Sequence, residues 1–178
     1  MKFSPVLVFV LCAVAACDVG DVTLNHSGGD GGATDSSNAG GDSGNGCVNA
    51  QTPAAAHTHA AGGTSNAGMD CVVSGCHGTP PGTGASTFTF AGTLYTSSAA
   101  SAPKTGATIQ IKFGTTTYTA ISDMAGNFYN SLPLTFPATT DATSCPSLTP
   151  MLTALATGQG GCNSCHRNAG TTTPMYLQ

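Results

Sequence analysis

The chain has 178 residues, only 7% of them charged, and a formal net charge of −4. With the leading segment that holds Lys2 set aside, the cations are Lys104, Lys112 and Arg167, against eight Asp and no Glu; that balance argues against a nucleic-acid partner. Gly accounts for 24 residues, aromatics for 6%, and Trp is absent, so the core is modest and covalent staples or cofactors would help the chain fold.

Residues 1–16 read as a secretory signal. Lys2 is the positive region, and Pro5 to Leu11 is an apolar run too short for a permanent bilayer span. Val14-Ala15-Ala16-Cys17 resembles a bacterial lipobox. The resemblance implies that Cys17 becomes the lipidated first residue, holding the protein to the membrane of a bacterial cell envelope on its periplasmic or cell-surface side. Residues 17–46 continue as a Gly-rich tether with almost no apolar side chains, as in Gly28-Gly29-Asp30-Gly31-Gly32, and His26 within it reads as solvated.

Residues 47–84 form an irregular, Ala-rich segment that carries His57 and His59, then Cys71-Val72-Val73-Ser74-Gly75-Cys76-His77. Residues 85–150 change character. Phe88, Phe90, Gly92 and Leu94 alternate with polar residues, as do Ala107, Ile109, Ile111 and Phe113. Tyr118 to Ile121 and Phe128 to Leu134 add two further runs, with turns at Pro103 to Gly106, Gly114 and Asp123 to Asn127. This period of two predicts short antiparallel strands with one face of each buried. From Thr139 to Gly161 the sequence reads as a loop with a short helix at Met151 to Ala156, and Gly158 to Gly161 as a flexible lead. Residues 151–178 hold Cys162-Asn163-Ser164-Cys165-His166 and close on a Thr-rich tail.

The two Cys-His segments carry the chemistry. Cys-x-x-Cys-His is the spacing of c-type haem attachment, and the copy at Cys71 is a longer-spaced form. Two thiols bond one edge of the porphyrin, and the following imidazole comes to lie under the iron. His is 5 of 178 residues, so finding one directly after both pairs by chance has a probability of roughly 0.1% against that spacing rule. Both segments resemble the attachment sites of multihaem cytochromes c. The resemblance implies two haem c groups, bonded through Cys71, Cys76, Cys162 and Cys165, with His77 and His166 as proximal iron ligands. Four His lie outside the tether, so His57 and His59 become candidate distal ligands, with both irons bis-His. Met69, Met151 and Met175 compete, and Met ligation would raise the potential.

Phe90 to Tyr95, Thr105 to Ile111 and Ser122 to Phe128 resemble the carboxypeptidase-regulatory-like, transthyretin-like β-sandwich. The expected fold is therefore mainly β: a small Ig-like or transthyretin-like antiparallel sandwich flanked by irregular haem-attachment segments. That family usually has more strands than the four runs above supply, so either the remaining edges come from residues 137–155 or the sandwich is truncated. The fold implies a scaffold rather than an activity.

Cys47 and Cys145 remain once Cys12 has left with the signal and lipid and haem have taken their cysteines, and in an exported protein two leftovers suggest a disulfide. Zinc is the rival at the motifs, with Cys71, Cys76, Cys162 and Cys165 as a structural site, and plain disulfides are the third reading; both leave His77 and His166 unexplained. No thioredoxin-like βαβ pattern surrounds Cys162 and Cys165, and no nucleophile elbow or P-loop occurs. The expected function is one-electron transfer between redox protein partners, without enzymatic turnover. The competing class is a non-redox binding or structural lipoprotein.

Overall fold

The computed structural model describes residues 46–56, 66–167 and 172–178, and the architecture is mainly β. The strands are β1 Phe90–Thr93, β2 Thr108–Phe113, β3 Thr116–Ile121, β4 Asn127–Asn130, β5 Thr139–Ser144 and β6 Ser147–Pro150. A 3-10 turn over Cys162–Ser164 is the helical piece among the described residues. All strand pairs are antiparallel, in one sheet of order β3-β2-β5-β6 and a second of β1-β4.

The alternating apolar residues face one shared core. Phe90 and Leu94 meet Phe128 from one sheet, and Ile109, Ile111 and Ala120 from the other. The Phe90 and Phe128 rings stand 5.6 Å apart. Each of these large side chains contributes about 2 kcal/mol by leaving water.

Four expectations need correction. Thr139 to Pro150 is a hairpin, not a loop; it supplies strands where the resemblance asks for them, in residues 137–155, and β5 lies inside its sheet between β2 and β6. Met151 to Ala156 is not helical. Leu155 is buried in the core, and its N–H and C=O both pair with Ala138. A six-residue run gains little from helix nucleation, whereas this pairing satisfies two backbone groups and buries a leucine. β1 is buried along its whole length, on both faces, because the chain around Cys162 covers what a solvent face would expose. Lastly, the ends are docked rather than loose. Gly160 and Gly161 are buried, with the Ala91 N–H donating to the Gly160 carbonyl at 2.9 Å, and Leu177 is a core residue.

Cys47 and Cys145 form a disulfide with a Cα–Cα distance of 5.6 Å. Beside it, Val48 donates to Thr143 Oγ1 at 2.9 Å and accepts from the Cys145 N–H at 3.0 Å. This ties the chain ahead of the first Cys-His segment to the β5–β6 hairpin. Among the described residues no helix is long and apolar enough to cross a membrane.

Candidate functional site

The first segment folds largely on itself. The Cys71 carbonyl accepts from the His77 N–H at 2.9 Å, and the Val73 carbonyl accepts from Cys76 at 3.1 Å and Gly78 at 2.9 Å. Further on, Gly75 donates to Pro80 and Gly82 donates to Cys76. The loop holds Cys71 and Cys76 half-buried and drives His77 inside, where it is 1% exposed. The His77 ring stacks on Phe88 with centroids 3.9 Å apart, and Phe88 stacks in turn on Tyr129 at 4.4 Å.

The second segment is fixed by the sandwich. Asn163, between its two cysteines, is wholly buried. Its Oδ1 accepts from the Thr93 N–H at 3.2 Å, while its Nδ2 donates to Thr93 Oγ1 at 3.0 Å and to the Met69 carbonyl at 2.9 Å. Thr93 Oγ1 also accepts from Gly68 N–H at 2.8 Å and donates to Asn127 Oδ1 at 2.9 Å. Met69 stands just ahead of Cys71, so one network on β1 holds both segments. Asp70 adds a second contact. Its carboxylate lies over Gly161, the residue before Cys162, where any Cβ would overlap it. The two Cys-His segments therefore begin side by side.

Both imidazoles are held in the same way. His77 Nδ1 lies 2.6 Å from the Ser86 carbonyl, and His166 Nδ1 lies 2.9 Å from the Thr173 carbonyl and 3.0 Å from Thr172 Oγ1. A carbonyl can only accept, so Nδ1 carries a proton in each ring, and in the neutral ring Nε2 is then the acceptor. That tautomer is the one a metal-binding imidazole needs, oriented by a backbone acceptor behind it.

The cysteines differ. Cys165 is exposed, whereas Cys162 is buried. Burial, followed by the negative charge of Asp70, pushes the Cys162 thiol well above its usual range. A cavity of about 210 Å³ lies beside His166, walled by Phe90, Leu94, Phe128, Met151 and Met175 among others. Pockets that enclose a whole ligand measure roughly 300–1,000 Å³, so this space is smaller than such a pocket.

His57, His59 and Cys17 lie outside the described residues. Met151 and Met175 line the His166 cavity, whereas Met69 is 60% exposed. Among the described residues no group of three or more His, Cys, Asp or Glu side chains comes together in a form that could hold a metal ion. Thr93, Asn127 and Asn163 escaped the sequence reading. A buried Asn inside a Cys-x-x-Cys spacer carries no signal until the strand it bonds is known. Comparison of the chain with family models, curated proteins and solved structures returned no match.

Proposed function

We propose that the chain is a lipid-anchored, extracytoplasmic dihaem c-type cytochrome that carries single electrons between redox protein partners, on a sandwich of the Ig-like or transthyretin-like kind. The observation that carries this reading is the shared state of His77 and His166. Each directly follows a cysteine pair, and each has its Nδ1 proton on a backbone carbonyl. Two imidazoles selected for Nε2 donation, each next to two thiols, are what covalent haem attachment needs and what plain disulfides would not require.

Bound there, haem would supply one-electron iron chemistry at a potential set by its axial ligands and its burial. The protein's own part is positional. Ser86 and Thr173 hold the imidazole protons. Phe88 fixes the His77 ring by stacking. The apolar walls beside His166 exclude water from one side of the site. Asn163 and Thr93 hold the two segments in a fixed relation, which suits a carrier that takes an electron at one site and releases it from the other. Cys17 would carry the lipid and the Gly-rich tether the reach.

Haem staining and intact mass decide the matter on protein made in a host with c-type maturation. The expected mass is that of the lipidated chain plus two haems. A mass equal to the chain plus zinc, or to the chain alone, would replace this reading with the non-redox lipoprotein.

A further inference from the structure

A second cleft, of about 300 Å³, lies where residues 67–69, just ahead of the first Cys-His segment, meet Arg167, just after the second, and Pro174 in the tail. We infer that this cleft is a carboxylate-binding site, with Arg167 and Tyr95 as its donors and apolar walls for a short hydrocarbon body.

The charge comes from Arg167. It is exposed, and among the described residues no carboxylate pairs with it; the ion pair there joins Lys112 to Asp141. The planar fork of a guanidinium matches the two oxygens of a carboxylate. Tyr95 supplies a second donor from a fixed backbone. Its N–H donates to the Met175 carbonyl at 3.0 Å, and its carbonyl accepts from the Leu177 N–H at 2.9 Å. Its hydroxyl stands over Gly68, where a Cβ would lie 2.8 Å from the oxygen, on a backbone with φ of +81°. Any side chain at that position would therefore crowd the hydroxyl out of the cleft. Partial burial raises the Tyr95 pKa, so the hydroxyl keeps the proton it would donate.

The walls are apolar, from Ala67, Met69, Ala100 and Pro174. Met69 is 60% exposed, an unbranched thioether side chain left for a ligand to cover. Ala100 is the one residue other than Gly with a positive φ among the described residues, at 51°. Gly is the usual choice for that backbone, and here a methyl group is kept at a steric cost where it lines the cleft. One guanidinium and one hydroxyl balance a single negative charge, so the site fits a monocarboxylate better than a phosphate dianion. The inference does not rest on the haem reading. A haem propionate carries the same chemical group, so the test has two arms.

Benzoate is the probe, titrated into the full chain, both haem-free and reduced with haem bound, and read by NMR at the Met69 methyl and Tyr95 ring resonances. The haem-free chain should bind benzoate saturably and ignore benzamide, its neutral analogue. Arg167→Gln should weaken binding by about tenfold or more, the scale of a lost charge-assisted bond. Arg167→Lys should keep part of the affinity, and Tyr95→Phe should weaken it several-fold. Lys104→Gln makes the same change in net charge away from the cleft and should bind as the unmodified chain does. Binding that persists with haem bound assigns the cleft to a free carboxylate; binding that haem abolishes assigns it to a propionate. The inference is overturned by a haem-free chain that does not bind benzoate, by benzamide binding equally well, by unchanged affinity in Arg167→Gln, or by an equal loss in Lys104→Gln. A chain that takes up no haem overturns the proposed function alone, because the haem-free arm still decides this site.

Discussion

The two Cys-His segments share a chemical pattern and differ in what holds them. The first is a local loop whose carbonyls are satisfied within a dozen residues, with its histidine sealed under Phe88. The second also bonds locally, with Ser164 donating to Gly161 and Cys165 and His166 donating to Cys162, and is held in addition by Asn163, by the pairing of Gly160 with Ala91, and by the tail across Tyr95. Four residues between the first pair of cysteines leave length for a self-contained loop; two between the second pair close only a single 3-10 turn, so the shorter motif takes its placement from the sandwich. Local damage should therefore loosen the first segment alone, and damage to β1 should loosen the second.

The broadest way to break the comparison acts on both. The Cys47–Cys145 bond closes a loop with a sequence separation of 98. In the chain-entropy picture, replacing both cysteines with alanine should cost about 4–5 kcal/mol. Urea unfolding of the double variant measures this. A loss below about 1 kcal/mol would mean that the Val48 and Thr143 bonds hold the hairpin unaided.

A narrower cut falls on the second segment. Asn163→Ala removes three hydrogen bonds, two of them buried, and leaves the Thr93 N–H and the Met69 carbonyl in need of partners. The expected loss is about 3 kcal/mol, since each buried group left unpaired costs roughly 1–3 kcal/mol. Cys162 should then react with a maleimide in the native, haem-free chain far faster than before, while labelling at Cys71 and Cys76 stays nearly constant. Equal acceleration at all of them would show that the two segments are one unit.

The legibility of this protein divides along the same line. β1 to β3 could be read because Phe, Ile and Tyr alternate with polar residues. β5 is expected only from the strands that the sandwich still lacks and not from its own pattern, since Thr139-Thr140-Asp141-Ala142-Thr143-Ser144 has no large apolar residue and becomes a strand by pairing with β2 on one side and β6 on the other. At the site, the cysteines and histidines announce themselves by spacing. Their support is made of Thr, Asn, Asp and Gly, residues common throughout this chain, and their roles exist only once β1 has brought residues 68–70 and 160–163 together. The docking of the tail was missed for the same reason: Leu177 looks like a lone apolar residue near a terminus until the core is assembled.

A third prediction sharpens the contrast in the thiols. Burial and the Asp70 charge hold Cys162 protonated in the folded, haem-free chain. Unfolded, the same thiol titrates near 8.5. Above that pH the unfolded state has lost a proton that the folded state keeps, so rising pH favours unfolding. Stability of the haem-free chain should fall by about 1.4 kcal/mol per pH unit beyond this point, relative to Cys162→Ala. Below pH 8 the effect should vanish, and haem attachment should abolish it because a thioether has no proton to lose. Urea curves from pH 7 to 10 on both proteins test it, and parallel alkaline slopes would count against the burial of Cys162.

The smallest expected effect belongs to the first segment. Phe88 lies between His77 and Tyr129, nearly coplanar with each, at interplanar angles of 6° and 14°. Phe88→Leu keeps an apolar side chain of similar size and deletes both stacks. Aromatic pairs contribute about 0.5–1.5 kcal/mol beyond simple burial, so a loss of about 1 kcal/mol is expected. The bond from His77 Nδ1 to the Ser86 carbonyl and that from the Phe88 N–H to the His77 carbonyl use backbone acceptors, and should survive. The His77 tautomer would then persist while its ring proton resonances lose the shielding of the stacked neighbour, which NMR can read directly. Reactivity at Cys162 should not change, because no bond of the Thr93–Asn163 network involves Phe88. A loss above about 3 kcal/mol, or a newly reactive Cys162, would show instead that the loop and the sandwich-held motif are mechanically coupled through β1.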